Sequence, residues 1–156
     1  MEVRDIAKES TFDLKLKVDS KSDIDDIARK NRLSLIRAYE AQLAGDLDTW
    51  WDIFDPDVEF FEAESLPYGC SSKGLEAAKQ GVAGMFSAWS HLCVVIEEFA
   101  TAGDLVICYI HMTATSRKTG EIYEGPVAET FRFRNGKVVE WRPIYWDTHR
   151  VLEMCS

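Results

Sequence analysis

The sequence of 156 residues predicts a single α+β domain, with three N-terminal helices packed on a strongly curved, mainly antiparallel sheet. Apolar residues recur at helical spacing through much of the first half. Long alternating runs dominate the second half, near residues 92–101, 105–116, 121–134 and 137–147. The last two runs are joined by Asn135-Gly136, a dipeptide typical of a tight hairpin. Strands this long in a small domain predict a sheet that curls over the helices.

Residues 1–22 form a charged N-terminal extension, and residues 23–156 form the main domain. Within the extension, Phe12 to Val18 alternates strictly between apolar and polar side chains, which is the pattern of a half-buried strand. We therefore expect an extra strand here, which either adds to an edge of the sheet or reaches a partner subunit.

Three helices are predicted in the main domain. The first has Ser22 as its N-cap and Asp25 as capping-box partner, and it ends at Gly45. A short second helix runs over residues 46–54 and stops at an Asp-Pro pair. The third spans about residues 72–89.

Between the second and third helices, Val58 to Glu62 is predicted to be a strand and Ser65 to Ser72 a loop. Gly81 and Gly84 lie inside the third helix, where glycine either weakens the helix or allows a close approach.

The net charge of −9 comes from one stretch, Glu40 to Ser72, which holds nine carboxylates and no lysine or arginine. Nucleic-acid backbones and anionic membranes bind through clustered cations, so neither is expected as a partner. The four cysteines show no metal-ligand spacing and are predicted to be free thiols in the cytoplasm. No signal segment, phosphate loop or dinucleotide fingerprint is present, so neither a cofactor nor a metal is expected.

Two carboxylates share strand faces with apolar residues. Glu62 alternates with Val58 and Phe60, and Glu129 alternates with Val127 and Phe131. A carboxyl among apolar neighbours has a raised pKa, so the two acids can take different roles, one as base and one as neutral hydrogen-bond donor. The alternative is that Glu62 is solvated at a pocket mouth, or paired to an arginine of the last strands.

Further candidates follow from position. Tyr68 lies in a polar loop and is expected to reach a ligand through its hydroxyl, and His111 is a candidate acid/base group. Asp147 follows the pocket face of the last strand, or alternatively caps the turn at Thr148 or His149. The residues predicted to contact a flat apolar ligand are Tyr39, Trp50, Trp89, His91, Trp141 and Tyr145.

Three segments resemble the nuclear transport factor 2-like superfamily in its SnoaL-like branch. AYEAQLAGDLDTWWDIF at 38–54 is similar to the first helix, Gly-Asp turn and second helix of that superfamily. LPYGCSSKGLEAA at 66–78 resembles its Pro-x-Gly-Gly loop, with Cys70 in place of the second glycine. FRFRNGKVVEWRPIYWDT at 131–148 resembles its closing hairpin. The resemblance implies a cone-shaped α+β barrel over about residues 24–150.

In the related ketosteroid isomerase branch, the catalytic base lies on the first strand and a protonated acid on the strand before the last hairpin. Glu62 and Glu129 match these two positions. The resemblance implies an enzyme of isomerase, cyclase or dehydratase type that acts without a cofactor on an apolar cyclic, polyketide-like or terpenoid-like molecule. The alternative is a non-catalytic ligand-binding or assembly module of the same fold. Both alternatives predict a homodimer through the convex sheet face, with Val106, Ile110 and Ile144 pointing outward.

Overall fold

The computed structural model describes residues 11–16 and 26–156. The predicted cap at Ser22 and Asp25 lies outside the described residues, as does Val18. The helices are α1 (Asp26–Leu43), α2 (Leu47–Asp52), α3 (Leu75–Ala88) and α4 (Thr148–Cys155). The strands are β1 (Thr11–Leu16), β2 (Phe54–Glu62), β3 (Cys70–Lys73), β4 (Trp89–Ala102), β5 (Leu105–Ser116), β6 (Ile122–Arg134) and β7 (Lys137–Tyr145).

The strands form one sheet in the order β1-β4-β5-β6-β7-β2-β3. The four long strands β4 to β7 pair in sequence as antiparallel hairpins, as the alternating runs predict. Asn135 and Gly136 both adopt positive φ, 52° and 78°, which fits a two-residue turn of the type predicted for this pair. Strand β2, which precedes these hairpins in the sequence, pairs in parallel with β7 and so extends the sheet beyond the four long strands.

The helices and the inner face of the sheet enclose the hydrophobic core, which confirms the predicted α+β architecture. Gly45 has a φ of +81° just after α1, so the predicted glycine stop is observed. Trp141 lies at the centre of an aromatic cluster, with ring centroids 4.8 Å from Phe60 and 5.7 Å from Trp50 and Phe131. This cluster joins α2, β2, β6 and β7 on one side of the core.

The expected N-terminal strand is β1, which pairs in parallel with β4 at the edge of the sheet, with Phe12 opposite Leu92. Of the two alternatives predicted for this strand, the structure shows the one in which it adds to an edge of the sheet.

Several predicted boundaries are wrong. Phe54 and Trp89 begin strands instead of ending helices. The segment Cys70–Lys73, assigned partly to the loop and partly to the start of the third helix, pairs with β2 as the short strand β3. Helix α4 was not predicted, although Asp147 is an N-cap residue and Val151 and Met154 are buried with helical spacing.

The orientation predicted for β5 is also wrong. Val106 and Ile110 were expected on the convex face but are buried in the core, whereas Ile144 is 52% exposed as predicted. Both faces of β5 carry apolar residues, so alternation alone does not identify the inner one. In the part of the chain that the structure describes, no helix is long and apolar enough to cross a bilayer.

Candidate active site

A cavity of about 70 Å³ lies between α1, α3 and the inner face of the sheet. Its polar lining consists of Glu62, Glu129, Tyr39, Tyr145 and Gln42. Its apolar lining consists of Trp50, Phe60, Val82, Met85, Phe86, Leu92, Val94, Ile110, Met112, Val127, Trp141 and Pro143. The walls are therefore mostly apolar, and the polar groups are two carboxyls, two phenols and one amide.

Glu62 is the last residue of β2 and is 3% exposed. Its Oε1 accepts a hydrogen bond from the backbone N–H of Ala63 at 3.2 Å. Its buried Oε2 has no hydrogen-bond partner among the described residues. Burial raises the pKa of Glu62 to about 8; the Ala63 N–H and the neighbouring Tyr145 hydroxyl oppose this rise, and the charge of Glu129 adds to it.

The alternative that Glu62 pairs with an arginine of the last strands is not what the structure shows. Arg142 instead lies 3.7 Å from Glu140, and Arg132 lies 3.4 Å from Asp104. Both of these ion pairs are at the surface, so neither arginine compensates the charge of Glu62.

Glu129 faces the cavity from the middle of β6, where its Oε2 accepts a hydrogen bond from the Tyr39 hydroxyl. Burial raises the pKa of Glu129 to about 7, while the Tyr39 hydroxyl and the Trp141 indole lower it. The Trp141 Nε1 forms no hydrogen bond of normal geometry within the described residues, so Tyr39 is the principal donor. Tyr39 is buried and packed by aromatic rings, since its ring centroid lies 5.1 Å from that of Trp50 and 6.4 Å from that of Phe131.

Tyr145 extends the polar group around Glu62. Its hydroxyl accepts a hydrogen bond from Tyr68 at 3.3 Å, and both side chains are buried. Burial raises the pKa of both tyrosines, so both remain protonated donors at physiological pH. Tyr68 itself does not line the cavity and reaches it through Tyr145.

The predicted site residues therefore separate into two groups. Glu62, Glu129, Tyr39, Trp50, Trp141 and Tyr145 line the cavity, and Tyr68 lies directly behind it.

The structure places Asp147, His111 and His91 elsewhere. Asp147 is exposed and caps α4, its Oδ1 accepting from the N–H of Arg150 at 2.9 Å, which is the capping alternative. His111 lies on the outer face of β5, with Nε2 3.2 Å from Glu124 Oε1, because the inward face of β5 is the opposite of the predicted one. His91 falls on the outer side of β4, since its neighbour Leu92 points into the cavity.

Trp89 is fully buried in the core, 6.5 Å from Tyr123, and does not line the cavity. Eleven of the seventeen lining residues were not among the predicted site residues, and all of these except Gln42 on α1 are apolar, as Met85 on α3 is. Gln42 and Met85 both keep partial solvent exposure on the two helices that cover the cavity. The helical spacing of Gln42 from Tyr39 was the available signal, because residues three apart share a helix face.

No group of three His, Cys, Asp or Glu side chains in residues 11–16 and 26–156 is arranged to hold a metal ion. What the cavity offers chemically is a pair of acids with pKa values near neutrality inside an apolar enclosure.

Comparison with known families identifies the domain. A family model described as the SnoaL-like domain matches residues 35–141. The chain belongs to the SnoaL-like family. The matched range begins in α1 and ends in β7, so it contains Tyr39, Glu62, Glu129 and Trp141. No curated protein matches this SnoaL-like chain.

Solved structures share the SnoaL-like fold at low identity. One is a proposed SnoaL-like polyketide cyclase from Jannaschia sp. CCS1, with a TM-score of 0.73 and 21% identity, covering 87% of this chain and 98% of that one. A nuclear transport factor 2-like protein of unknown function from Burkholderia pseudomallei has a TM-score of 0.72 and 20% identity, covering 81% and 98%. TerC, crystallised with polyporic acid, has a TM-score of 0.69 and 19% identity, covering 80% and 98%.

Proposed function

We propose that this SnoaL-like protein is an enzyme that moves protons on an apolar cyclic molecule, of polyketide-like or terpenoid-like type, without a cofactor. The observation that carries the proposal is that Glu62 and Glu129 line the same apolar cavity. Burial raises the pKa of Glu62 to about 8 and that of Glu129 to about 7, so near neutral pH the pair exchanges protons readily. Isomerisation, cyclisation and dehydration all use such a pair.

Proton abstraction is assigned to Glu62. Its Oε2 accepts no hydrogen bond of normal geometry from the described residues, which leaves a lone pair available to a C–H group in the cavity, with the Tyr145 hydroxyl nearby. Glu129 is assigned the opposite role, with Tyr39 orienting its carboxyl. The pKa of Glu62, about 8, lies above that of Glu129, about 7, so the arrangement with Glu62 ionised and Glu129 protonated is the less populated one, and the reaction proceeds through it. In its protonated form Glu129 would donate to the substrate oxygen that gains negative charge as Glu62 takes the proton.

Isomerisation of a β,γ-unsaturated cyclohexenone to its conjugated isomer tests this assignment, because it needs only the transfer of a proton from the α carbon to the γ carbon. The rise in ultraviolet absorbance of the conjugated product reports the rate. Glu62→Gln is expected to lower the rate by at least about 100-fold. Glu59→Gln, on the exposed face of the same strand, is the matched control and should leave it unchanged. Equal rates for wild type and Glu62→Gln would contradict the proposal.

The second candidate is a non-catalytic ligand-binding or assembly module. The observation that favours it is the volume of the cavity, about 70 Å³, against the roughly 300–1,000 Å³ of pockets that enclose drug-sized ligands. A ligand that binds with equal affinity to wild type and Glu62→Gln, and is recovered unchanged from both, would support this candidate.

The partner of the site is a small apolar organic molecule, and a second copy of the chain is the proposed protein partner. Ile144, Ala128 and Tyr109 lie opposite one another across β7, β6 and β5. Ile144 and Tyr109 are 52% and 43% exposed, so they form an apolar row on the convex face that a second sheet would cover. The proposed location is the cytoplasm, where the four free thiols stay reduced.

A further inference from the structure

The side chain of Tyr145 links Glu62 in the cavity to Tyr68 behind it. Tyr145 and Glu62 both line the cavity, and Tyr68 donates a hydrogen bond to the Tyr145 hydroxyl at 3.3 Å. All three side chains are buried, so the pair of hydroxyls lies in the interior of the protein. Neither tyrosine has a role in the proton transfer proposed above.

Tyr68 is fixed by a compact turn that follows Glu62 directly. The backbone N–H of Leu66 donates to the Ala63 carbonyl at 2.9 Å, and that of Gly69 donates to the Leu66 carbonyl at 2.8 Å. A Cβ at position 69 would lie 2.3 Å from the Ala63 carbonyl oxygen, so glycine is needed for the turn to close this tightly. The turn folds the chain back and buries the ring of Tyr68 shortly after Glu62 in the sequence.

The hydrogen bond from Tyr68 determines what the Tyr145 hydroxyl can still do. A tyrosine hydroxyl has one proton to donate. Because Tyr145 is the acceptor in its bond with Tyr68, its own proton is left for another acceptor. A hydroxyl that already accepts a hydrogen bond is also polarised, which strengthens the bond that it donates. Tyr145 is therefore prepared to act as a donor.

The acceptor that needs such a donor is Glu62 in its ionised form. Its Oε1 accepts from the Ala63 N–H at 3.2 Å, and its Oε2 accepts no hydrogen bond of normal geometry from the described residues. A buried carboxylate with a single donor is strongly disfavoured, because its oxygens accept several hydrogen bonds in water. Burial raises the pKa of this carboxyl, and the nearby Tyr145 hydroxyl is one of the groups that lower it.

The other titratable groups around Glu62 do not supply a comparable donor. The charge of Glu129 on β6 adds to the rise in pKa that burial of Glu62 causes. Cys70 is the register partner of Glu62 on β3, and its thiol, whose pKa is raised by burial, is a weak donor. Among the residues that the structure describes, no lysine, arginine or histidine lines the cavity. Tyr145 is thus the side-chain donor that can stabilise the ionised base.

We propose that Tyr68 is a positioning residue for Glu62, because it directs the Tyr145 hydroxyl to donate to the ionised Glu62 carboxylate. The catalytic meaning of this inference rests on the proposed function, in which ionised Glu62 is the base. At neutral pH the ionised form is the minor one, so a donor that stabilises it increases the fraction of molecules that can react. Tyr68 acts through Tyr145 and does not line the cavity itself.

NMR titration of the side-chain carboxyl carbons in the full chain measures the effect without turnover, and the resonance of Glu62 is identified by its loss in Glu62→Gln. Tyr145→Phe removes the donor and is expected to raise the pKa of Glu62 by about one unit. Tyr68→Phe should raise it by about half a unit, because the Tyr145 hydroxyl remains but is no longer directed. Tyr123→Phe is the control, since this buried hydroxyl lies near Asp147 and outside the cavity, and the titration should stay unchanged.

The double variant Tyr68→Phe/Tyr145→Phe decides whether Tyr68 acts through Tyr145. The double variant is expected to have the same Glu62 pKa as Tyr145→Phe alone, because no hydroxyl is left to direct. In the isomerisation assay at pH 7, Tyr145→Phe should lower kcat/KM by about tenfold and Tyr68→Phe by about threefold, in proportion to the loss of ionised Glu62. Both losses should shrink as the pH rises to about 9, where Glu62 becomes ionised in each variant.

Fluorination of Tyr145 provides a change in the opposite direction that keeps the ring and the hydroxyl. 3-Fluorotyrosine in place of Tyr145 has a more acidic hydroxyl, which is a stronger donor, so the pKa of Glu62 should fall. This measurement tests the proposal even where a phenylalanine variant does not fold.

Three results would overturn the proposal. An unchanged Glu62 titration in Tyr145→Phe would show that this hydroxyl donates elsewhere. A full effect of Tyr68→Phe in the Tyr145→Phe background would show that the two tyrosines act separately, and a rate loss that is the same at every pH would assign them a purely structural role. If the titrations shift as expected but the wild type does not catalyse the isomerisation, the hydrogen-bonded chain is supported and the proposed function alone fails.

Discussion

The hydroxyl of Tyr39 on α1 donates a hydrogen bond to the carboxyl of Glu129 on β6, across 90 residues of sequence. This contact joins the first helix to the middle of the sheet inside the cavity. It also lowers the pKa of Glu129, which burial otherwise raises. The bond therefore helps to keep that carboxyl near the midpoint of its titration at neutral pH.

Tyr39→Phe is expected to raise the pKa of Glu129 above its value of about 7, by about one unit, because the ionised form loses its donor. The ring remains and still packs against Trp50, so the fold should persist. The titration of the glutamate side-chain carboxyl carbons by NMR measures the change. Tyr109→Phe, on the convex face, is the control and should leave the titration unmoved.

Glu62 should make the stability of the protein depend on pH. Its pKa is about 8 in the folded chain and 4.5 when unperturbed, so between these values the folded state holds more protons than the unfolded state. Its contribution is fully present below pH 4.5 and is lost as the pH rises to about 8, with a slope approaching about 1.4 kcal/mol per pH unit.

Glu62→Gln removes this part of the slope, because glutamine does not titrate. Urea unfolding of wild type and variant at several pH values between about 5 and 8 measures the difference in slope. This range lies between the unperturbed and the folded pKa of Glu62. Glu59→Gln should retain the wild-type slope. An identical slope in Glu62→Gln would show that Glu62 ionises normally in the folded protein.

The two glycines inside α3 should respond differently to alanine. A Cβ at Gly81 would lie 2.8 Å from Cε1 of Phe60 and 2.9 Å from Sγ of Cys70. Phe60 is 1% exposed and cannot move away freely. Gly81→Ala should therefore destabilise the protein by about 1–3 kcal/mol, although alanine has a higher helix propensity than glycine.

A Cβ at Gly84 would meet the Tyr68 Cβ at 3.5 Å, an ordinary contact. Gly84→Ala should therefore be neutral or stabilise by up to about 1 kcal/mol. Urea denaturation of the pair compares the two sites in one helix. Equal effects would mean that Gly81 does not serve close packing.

The apolar row on the convex face predicts a homodimer. Sedimentation of the wild type should give about twice the chain mass of 17.8 kDa. Ile144→Glu introduces a charge into the row and should shift the protein to the monomer. Ile27→Glu, at an exposed position of α1 away from the row, is the control and should not. A wild type that sediments only as a monomer would contradict the dimer proposal.

Strand alternation was sufficient to identify both cavity acids, because its period of two can be read from adjacent residues. Val58 and Phe60 are buried on the same side as Glu62, as their spacing predicts. The same reasoning failed for β5, where Ile107 and Tyr109 on one face compete with Val106 and Ile110 on the other. Pairing with β4 and β6 decides the orientation of β5, and that pairing is not a local property.

The pairing of Tyr39 with Glu129 could not be predicted for a similar reason. It depends on how α1 crosses the sheet, which is set by packing between distant elements.

The parallel pairing of β2 with β7 has a consequence for biosynthesis. Phe60 aligns with Trp141, so most of the domain must be synthesised before the strand that carries Glu62 finds its place. Until then Glu62 remains an ordinary hydrated acid on the nascent chain. Closing a loop of this length costs conformational entropy, so Glu62 is dehydrated only where the docking of β2 on β7 also buries apolar core that offsets the penalty.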